Sequence, residues 1–185
     1  MMNKPWQSNW TELKYEDHWM RIELHQVTLP NGKKIRYSVA RLKGGIGVVA
    51  ADDQGRICIV GQFRYAPGVY SWEIPKGAFQ DFGHTESPLE TAHRELAEET
   101  GLSGGNWSDL GVVHTLMGSS DDKVFLFYAS KLDQGNPTPG PTEFLTRKMV
   151  SFREFLEMQS RGEITDATSI AAVLLAVQKG LLSPS

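Results

Sequence analysis

Residues 77–102 read GAFQDFGHTESPLETAHRELAEETGL, and the second half of this stretch is a helix with an unusual load of acid. Ser87 suits the N-cap, Pro88 the first helical position, and Glu90, three residues past the cap, completes a capping box. Gly101 supplies the stop. Stepping about 100° per residue from Leu89, the side chains of Ala92, His93, Leu96 and Thr100 gather on one face, which is expected to be the buried one. Glu95 and Glu99 lie together on one flank of it. Glu98 falls further round, on a stripe with Glu90 and Arg94.

Carboxylates three and four residues apart repel by roughly 0.2–0.5 kcal/mol per exposed pair, and by more when half-buried. These also sit in the last helical turns, where the helix dipole disfavours negative charge. A bound divalent cation reverses the sign of that effect. Carboxylate oxygens on a rigid element suit Mg²⁺ or Mn²⁺. A solvated acidic face, with Arg94 pairing Glu90 and Glu98, accounts for the same residues equally well. Read alone, the helix leaves both possibilities open.

The spacing around the helix goes further. From Arg94 the chain reads RELAEETGL, seven residues separate Arg94 from Glu86, and Gly77 lies upstream. This resembles the box of the Nudix hydrolase family, and everything from Glu86 to Leu102 matches its spacing. Eight residues stand between Gly77 and Glu86 where the box has five, and Gly83 occupies the expected glutamate position. Residues 80–84 are read as containing an insertion of three. Glu86 is then either the carboxylate that starts the box or an unengaged loop residue.

Length and composition suit one enzyme-sized domain with a small appended lobe: 185 residues, net charge −3, an ordinary apolar fraction of 40%. No basic run points to nucleic acid or to a membrane surface. Cys58 is the single cysteine and sits in an apolar run, so it is expected to be a buried structural thiol. No stretch is apolar enough to span a bilayer, and the first ten residues lack the apolar core of a signal peptide, so the default setting is cytoplasmic.

Along the chain, residues 1–10 carry Pro5, Trp6 and Trp10 without periodicity. Strands are expected at 12–16, 19–29 and 34–42, the last two joined by the turn Pro30-Asn31-Gly32. Three strands without a helix cannot bury two faces, so this unit must pack on the rest of the chain or on a second subunit. Gly44-Gly45 marks the join, dividing the chain into a lobe at 1–43 and a larger domain at 44–185. Residues 46–51 and 56–65 read as an apolar hairpin and 71–75 as a short strand. Further strands are expected at 109–116, 123–132 and 147–150, with a Pro/Gly-rich exposed loop at 133–142. Ser151 and Glu154 form a second capping box opening a helix to about 161, and a last helix runs from 168 to 178. Strands mixed with three helices argue an α+β fold. The resemblance implies the same: an α/β/α sandwich with a mixed β-sheet, plus an N-terminal antiparallel β lobe.

Outside the box, the lobe, QFRYAPGVYSWEIPKG at 62–77 and GEITDATSIAAVLLA at 162–176 resemble the ADP-ribose pyrophosphatase and nucleoside diphosphate sugar hydrolase branch. That branch implies a domain-swapped homodimer and hydrolysis of the substrate pyrophosphate with Mg²⁺, or Mn²⁺, as cofactor. Its ADP-ribose-specific members carry a proline just before the position of Gly118. Met117 stands there, which widens the expected substrates to GDP-mannose and related nucleotide sugars.

Carried onto this chain, the resemblance makes Glu95, Glu99, Glu98 and the Lys76 carbonyl the metal ligands. Glu98, Glu99, Arg94 and Glu143 form the catalytic set, with Arg94 orienting the glutamates and Glu143, on the loop after the later strands, as general base. A solvated loop carboxylate accounts for Glu143 equally well. Arg64 is a phosphate or ribose contact or else a surface strand arginine, and Glu73 is a substrate contact. Tyr37 and Trp6, with Trp10 and Trp19, offer a base-stacking platform or simple packing. Asp121 and Asp122 stand second in line. A Nudix hydrolase of NADH or nucleoside triphosphates, an enzyme on RNA caps or dinucleoside polyphosphates, and a non-catalytic Nudix-like ligand-binding domain are the competing functions; the last typically lacks the box glutamates that this chain keeps.

Overall fold

A computed structural model describes residues 5–83 and 85–183, so His84, at the end of the inserted segment, lies outside the described residues. The lobe is a three-stranded antiparallel sheet, β1 (Gln7–Glu16), β2 (Met20–Thr28) and β3 (Lys34–Leu42), in that spatial order. β1 begins well before Glu12: pairing with β2 runs from Gln7↔Thr28 to Glu16↔Arg21, and the partner strand supplies the order that the aperiodic Trp6–Trp10 stretch lacks by itself. A register shift between Ser8 and Trp10 explains why alternation is not visible there.

The main sheet has seven strands. β4 (Gly45–Ala51), β5 (Ile57–Arg64), β9 (Asn106–His114), β10 (Lys123–Ser130) and β12 (Thr146–Val150) run in the order β12-β5-β4-β10-β9. β4 and β10 are parallel and the other pairings antiparallel, which makes the sheet mixed. The expected hairpin of β4 and β5 closes only at its turn, through Ala51↔Ile57. Asp52 fixes that turn by accepting from the Gln54 and Arg56 amides at 2.9 Å each. Beyond it the strands diverge, and residues 69–78 fill the gap: β6 (Val69–Glu73) pairs with β5 and β7 (Lys76–Ala78) with β4. Between them the Pro75 carbonyl accepts from Val48 N–H at 2.9 Å. Two further short strands, β8 (Leu102–Ser103) and β11 (Asp133–Gln134), pair with each other, so the residues after the box helix and the start of the Pro/Gly-rich loop are not wholly irregular.

Both faces of the sheet are covered, which is why β4 and β5 read as continuous apolar runs. Ile46, Val48, Ala50 and Cys58 pack with Ala92 and Leu96 of α1 (Pro88–Thr100). Val49, Ala51, Ile57 and Ile59 face the other way, onto α2 (Phe152–Ser160) and α3 (Ala167–Gln178). The result is an α/β/α sandwich. Cys58 is fully buried and burial pushes its thiol up to about 12, as suits a structural cysteine. No described helix is long and apolar enough to cross a membrane.

The caps of α1 form as expected. Ser87 Oγ accepts from Glu90 N–H at 3.3 Å, Glu90 Oε2 from Ser87 N–H at 2.9 Å, and Gly101 takes φ 72°. Its buried face matches the expected one in part: Ala92, Leu96 and Thr100 are buried, but the face is shifted toward the acidic flank. Leu89 is 41% exposed and His93 is also exposed, whereas Thr91, Glu95 and Glu99 are buried beside Ala92 and Leu96. The helix is rolled so that its acidic flank lies against β7. In α2, Ser151 caps Glu154 N–H at 3.1 Å, but the Glu154 carboxylate pairs with Lys148 at 2.8 Å. α3 opens at Ala167 with Asp166 as its N-cap.

Candidate active site

Two glutamates of α1 rest on the backbone of β7. Lys76 N–H donates to Glu99 Oε2 at 3.1 Å. Glu95 lies over Gly77 so closely that a Cβ there would come within 2.0 Å of the Glu95 carboxyl carbon. Only glycine permits this approach, which is a physical reason for the residue that opens the box. Both carboxylates are almost fully buried, Glu95 at 9% exposure and Glu99 at 5%.

Arg94 organises the rest. Its Nη1 donates to Glu95 Oε1 at 2.8 Å and to Glu98 Oε2 at 3.1 Å, while Nε and Nη2 donate to Glu86 at 3.1–3.3 Å. Glu86 also accepts from Thr91 Oγ1 at 3.1 Å. Glu86 is therefore engaged at the site despite the insertion, not an unengaged loop residue. The expected Arg94–Glu90 pair is absent from these contacts because Glu90 completes the capping box. The loop after β11 reaches the end of the helix: Gly101 and Glu98 carbonyls accept from Gly135 and Thr138 N–H at 2.7 and 2.9 Å. These bonds satisfy helix-terminal carbonyls and bring the loop over the site. Glu143, on that loop, accepts from Gly140 N–H at 2.8 Å, and its charge acts on Glu95 and Glu99.

The electrostatics follow from burial. Burial pushes Glu99 up to about 8; the Lys76 amide opposes this, and the charges of Glu95 and Glu143 add to it. Glu95 is raised for the same first reason, with Arg94 pulling the other way.

A second ionic group adjoins the first. Arg64 donates to both oxygens of Glu73, at 2.9 and 2.6 Å, and Glu73 is buried. Lys76 Nζ lies between Glu73 at 2.8 Å and Asp166 at 2.7 Å. Burial raises Glu73 and Asp166, but their cationic partners outweigh it and hold both below the usual carboxylate range. Asp166 Oδ2 also accepts from the amide and hydroxyl of Ser169, whose oxygen accepts from Ile74 N–H at 3.0 Å. Arg64 is thus no plain surface arginine: its Nε and Nη2 bind Glu73, leaving Nη1. The reading from sequence missed Asp166 and Ser169; an Asp three residues before a Ser at a helix start was the available signal.

The remaining candidates stand elsewhere. Tyr37 donates its hydroxyl to the Gly118 carbonyl and meets Trp6 edge-on at 5.7 Å. Trp19 lies by His18 and Lys43. Asp121 pairs with Arg41 at 2.9 Å and Asp122 with Thr115, so neither is held in the carboxylate cluster. The Tyr37–Gly118 and Arg41–Asp121 contacts, with Ala40 N–H donating to the Ser119 carbonyl at 2.8 Å, fasten the lobe to the loop between β9 and β10.

Gly77, Glu86, Arg94, Glu95, Glu98 and Glu99 all fall within a span that matches a known family model. The model of the NUDIX domain covers residues 41–173. The chain belongs to the Nudix family. It is 36% identical to an ADP-ribose pyrophosphatase of Mycobacterium tuberculosis over 163 residues, 86% of this chain and 78% of that one. It is 30% identical to an ADP-ribose pyrophosphatase of Bacillus subtilis over 154 residues, 82% of each. An ADP compounds hydrolase of known structure superposes with a TM-score of 0.81 over 97% of this chain and 98% of that one; at 17% identity this likeness concerns the fold. The protein is a Nudix hydrolase, and the matched span takes in residues 77–102 and α1.

Nudix hydrolases generally need a divalent metal, and the donors here suit one. Glu95 and Glu99 are buried oxygen donors against a glycine edge, with surplus negative charge around them. Among the described residues no three His, Cys, Asp or Glu side chains converge on one point; Arg94 holds Glu95 and Glu98. The Glu98 side chain is 41% exposed, with room to turn.

Proposed function

We propose that the protein hydrolyses the pyrophosphate bond of nucleoside diphosphate sugars of the ADP-ribose and GDP-mannose type, giving a nucleoside monophosphate and a sugar phosphate, with Mg²⁺ or Mn²⁺ as cofactor. The observation that carries this reading is the pair Glu95 and Glu99 buried on the backbone of Lys76 and Gly77, costly for the fold without a cation. The named activities of the two pyrophosphatase relatives support the substrate class.

Glu95, Glu99, Glu98 and the Lys76 carbonyl would hold the metal, which when bound neutralises phosphate charge and makes a coordinated water more acidic. Arg94 orients the glutamates rather than the substrate, since its donors are taken up by three carboxylates. Glu143 accepts the proton of the attacking water once it leaves the Gly140 amide. Arg64 offers Nη1 to a phosphate oxygen while Glu73 holds its other edge. Met117, 78% exposed on the loop fastened to the lobe, relaxes the choice of sugar. Trp6 and Tyr37 lie beside that loop and supply a stacking surface for the base. Residues 1–43 serve as the dimerisation lobe of a cytoplasmic, domain-swapped homodimer that binds neither nucleic acid nor membrane, and 44–185 as the hydrolase domain.

A panel of nucleotide sugars, NADH and nucleoside triphosphates with Mg²⁺ tests the reading. ADP-ribose or GDP-mannose should be cleaved, and Glu99→Gln should remove nearly all turnover while the protein stays folded, a loss on the order of 10³-fold or more. Absence of hydrolysis of every nucleotide sugar sinks the function. Unchanged activity in Glu99→Gln sinks the metal assignment.

A further inference from the structure

Lys43 follows β3 at the junction of lobe and sheet, yet it is only 4% exposed. Its ammonium donates to the Gln80 carbonyl at 2.7 Å, reaches His18 Nε2 at 3.0 Å and lies 5.2 Å from the centre of the Trp19 ring. Gln80 belongs to the segment between β7 and α1 that holds the insertion. The same segment touches the lobe again at Phe82, whose ring lies under the Arg21 guanidinium at 4.4 Å. At its start Phe79 N–H donates to the Gly44 carbonyl at 3.2 Å, and Phe79 is buried in the core under α1. The inserted segment is therefore held to the lobe at two points, Gln80 and Phe82. It delivers the chain to Glu86, which binds Arg94, which in turn holds Glu95 and Glu98.

We propose that Lys43 is a positioning residue for the carboxylate cluster. By fixing Gln80 against the lobe it sets where the chain to Glu86 starts, and through Glu86 and Arg94 it sets the arrangement of Glu95 and Glu98. A buried ammonium on a backbone carbonyl gives a strong, directional bond in a place where water cannot replace it. The lobe thereby has a mechanical connection to the box helix, separate from its fastening at Gly118–Asp121. The last link of this chain, from the carboxylates to a cation, rests on the metal reading above; the earlier links do not.

The test combines backbone hydrogen exchange with calorimetric titration of Mn²⁺ on the full chain. In Lys43→Met, exchange should quicken about 10-fold or more across residues 80–94 while β4 and β5 stay protected. Mn²⁺ affinity should fall roughly 10-fold, the scale on which distant supports act on metal ligands. Lys43→Arg should restore most of both. Phe82→Ala, which removes only a half-buried loop side chain, should shift exchange in the same direction. The double variant Lys43→Met/Glu86→Gln should bind Mn²⁺ no more weakly than Glu86→Gln alone, because the two act in series. Unchanged exchange at 80–94 in both Lys43→Met and Phe82→Ala overturns the proposal, as do additive losses in the double variant. If the unaltered protein binds no Mn²⁺, the metal reading fails, and the exchange comparison alone decides the role of Lys43.

Discussion

Glu99 concentrates the physical tension of the site. It is buried, it neighbours other carboxylates, and its main native partner is one backbone N–H. A folded pKa of about 8 lies above the 4.5 expected for an unfolded glutamate, so the metal-free native state retains a proton that the unfolded chain gives up. The contribution is full below about pH 4.5 and is lost as pH rises toward about 8. Metal-free protein should therefore lose stability over that window, by on the order of a few kcal/mol from this residue. Glu99→Gln should flatten the loss, and urea midpoints measured across the window would show it. A midpoint that rises equally with pH in both proteins would refute this account of Glu99. Glu73 and Asp166 carry the opposite sign, since their lowered values make them stabilising above the usual carboxylate range and a liability in acid.

Among the elements, α1 and α3 are both defined by their caps, but the cap of α3 has a second partner. Asp166 binds Ser169 and Lys76 together, so α3 and β7 are joined at one carboxylate. Asp166→Ala should cost about 1–2 kcal/mol for the cap alone. Asp166→Asn keeps a capping oxygen and loses the charge on Lys76, so it should be milder in stability. Urea unfolding of the two variants separates these effects; equal destabilisation would mean that the ion pair, not the cap, dominates. The caps were legible because capping is local: Ser87 and Glu90 make contact across three residues, whatever surrounds them. The roll of α1 was not legible. Leu89 is apolar but overhangs the packed part of the helix, while Glu95 is charged and yet buried because Gly77 leaves space for it.

For the whole molecule, the lobe displays Trp6, Trp10, Leu13, Tyr15, Trp19 and Met20 at 36–63% exposure. Among the described residues its edge strand β1 pairs with β2 alone. So much aromatic surface on a thin sheet favours a second subunit over solvent. Light scattering should give twice the mass of the 20.6 kDa chain, and Trp10→Arg/Leu13→Glu should shift the protein toward monomer. A monomer at micromolar concentration, unaffected by these changes, would remove the case for exchange of the lobe.

Most of the elements are legible in residue order, though not the two-residue strands β8 and β11, each held only by the other. The box helix, its caps and stop, the Pro30-Asn31-Gly32 turn and the apolar strands rest on contacts between near neighbours, and those are written in residue order. The tertiary structure decided which charges meet. It joined Lys76 to Asp166, Ile74 to a serine 95 positions away and Lys43 to a carbonyl 37 positions away, and it split the β4–β5 hairpin to admit β6 and β7. It also gave Glu86 its place at Arg94. Such pairs depend on where the sheet and its covering helices bring distant backbone together, and no local pattern encodes that distance.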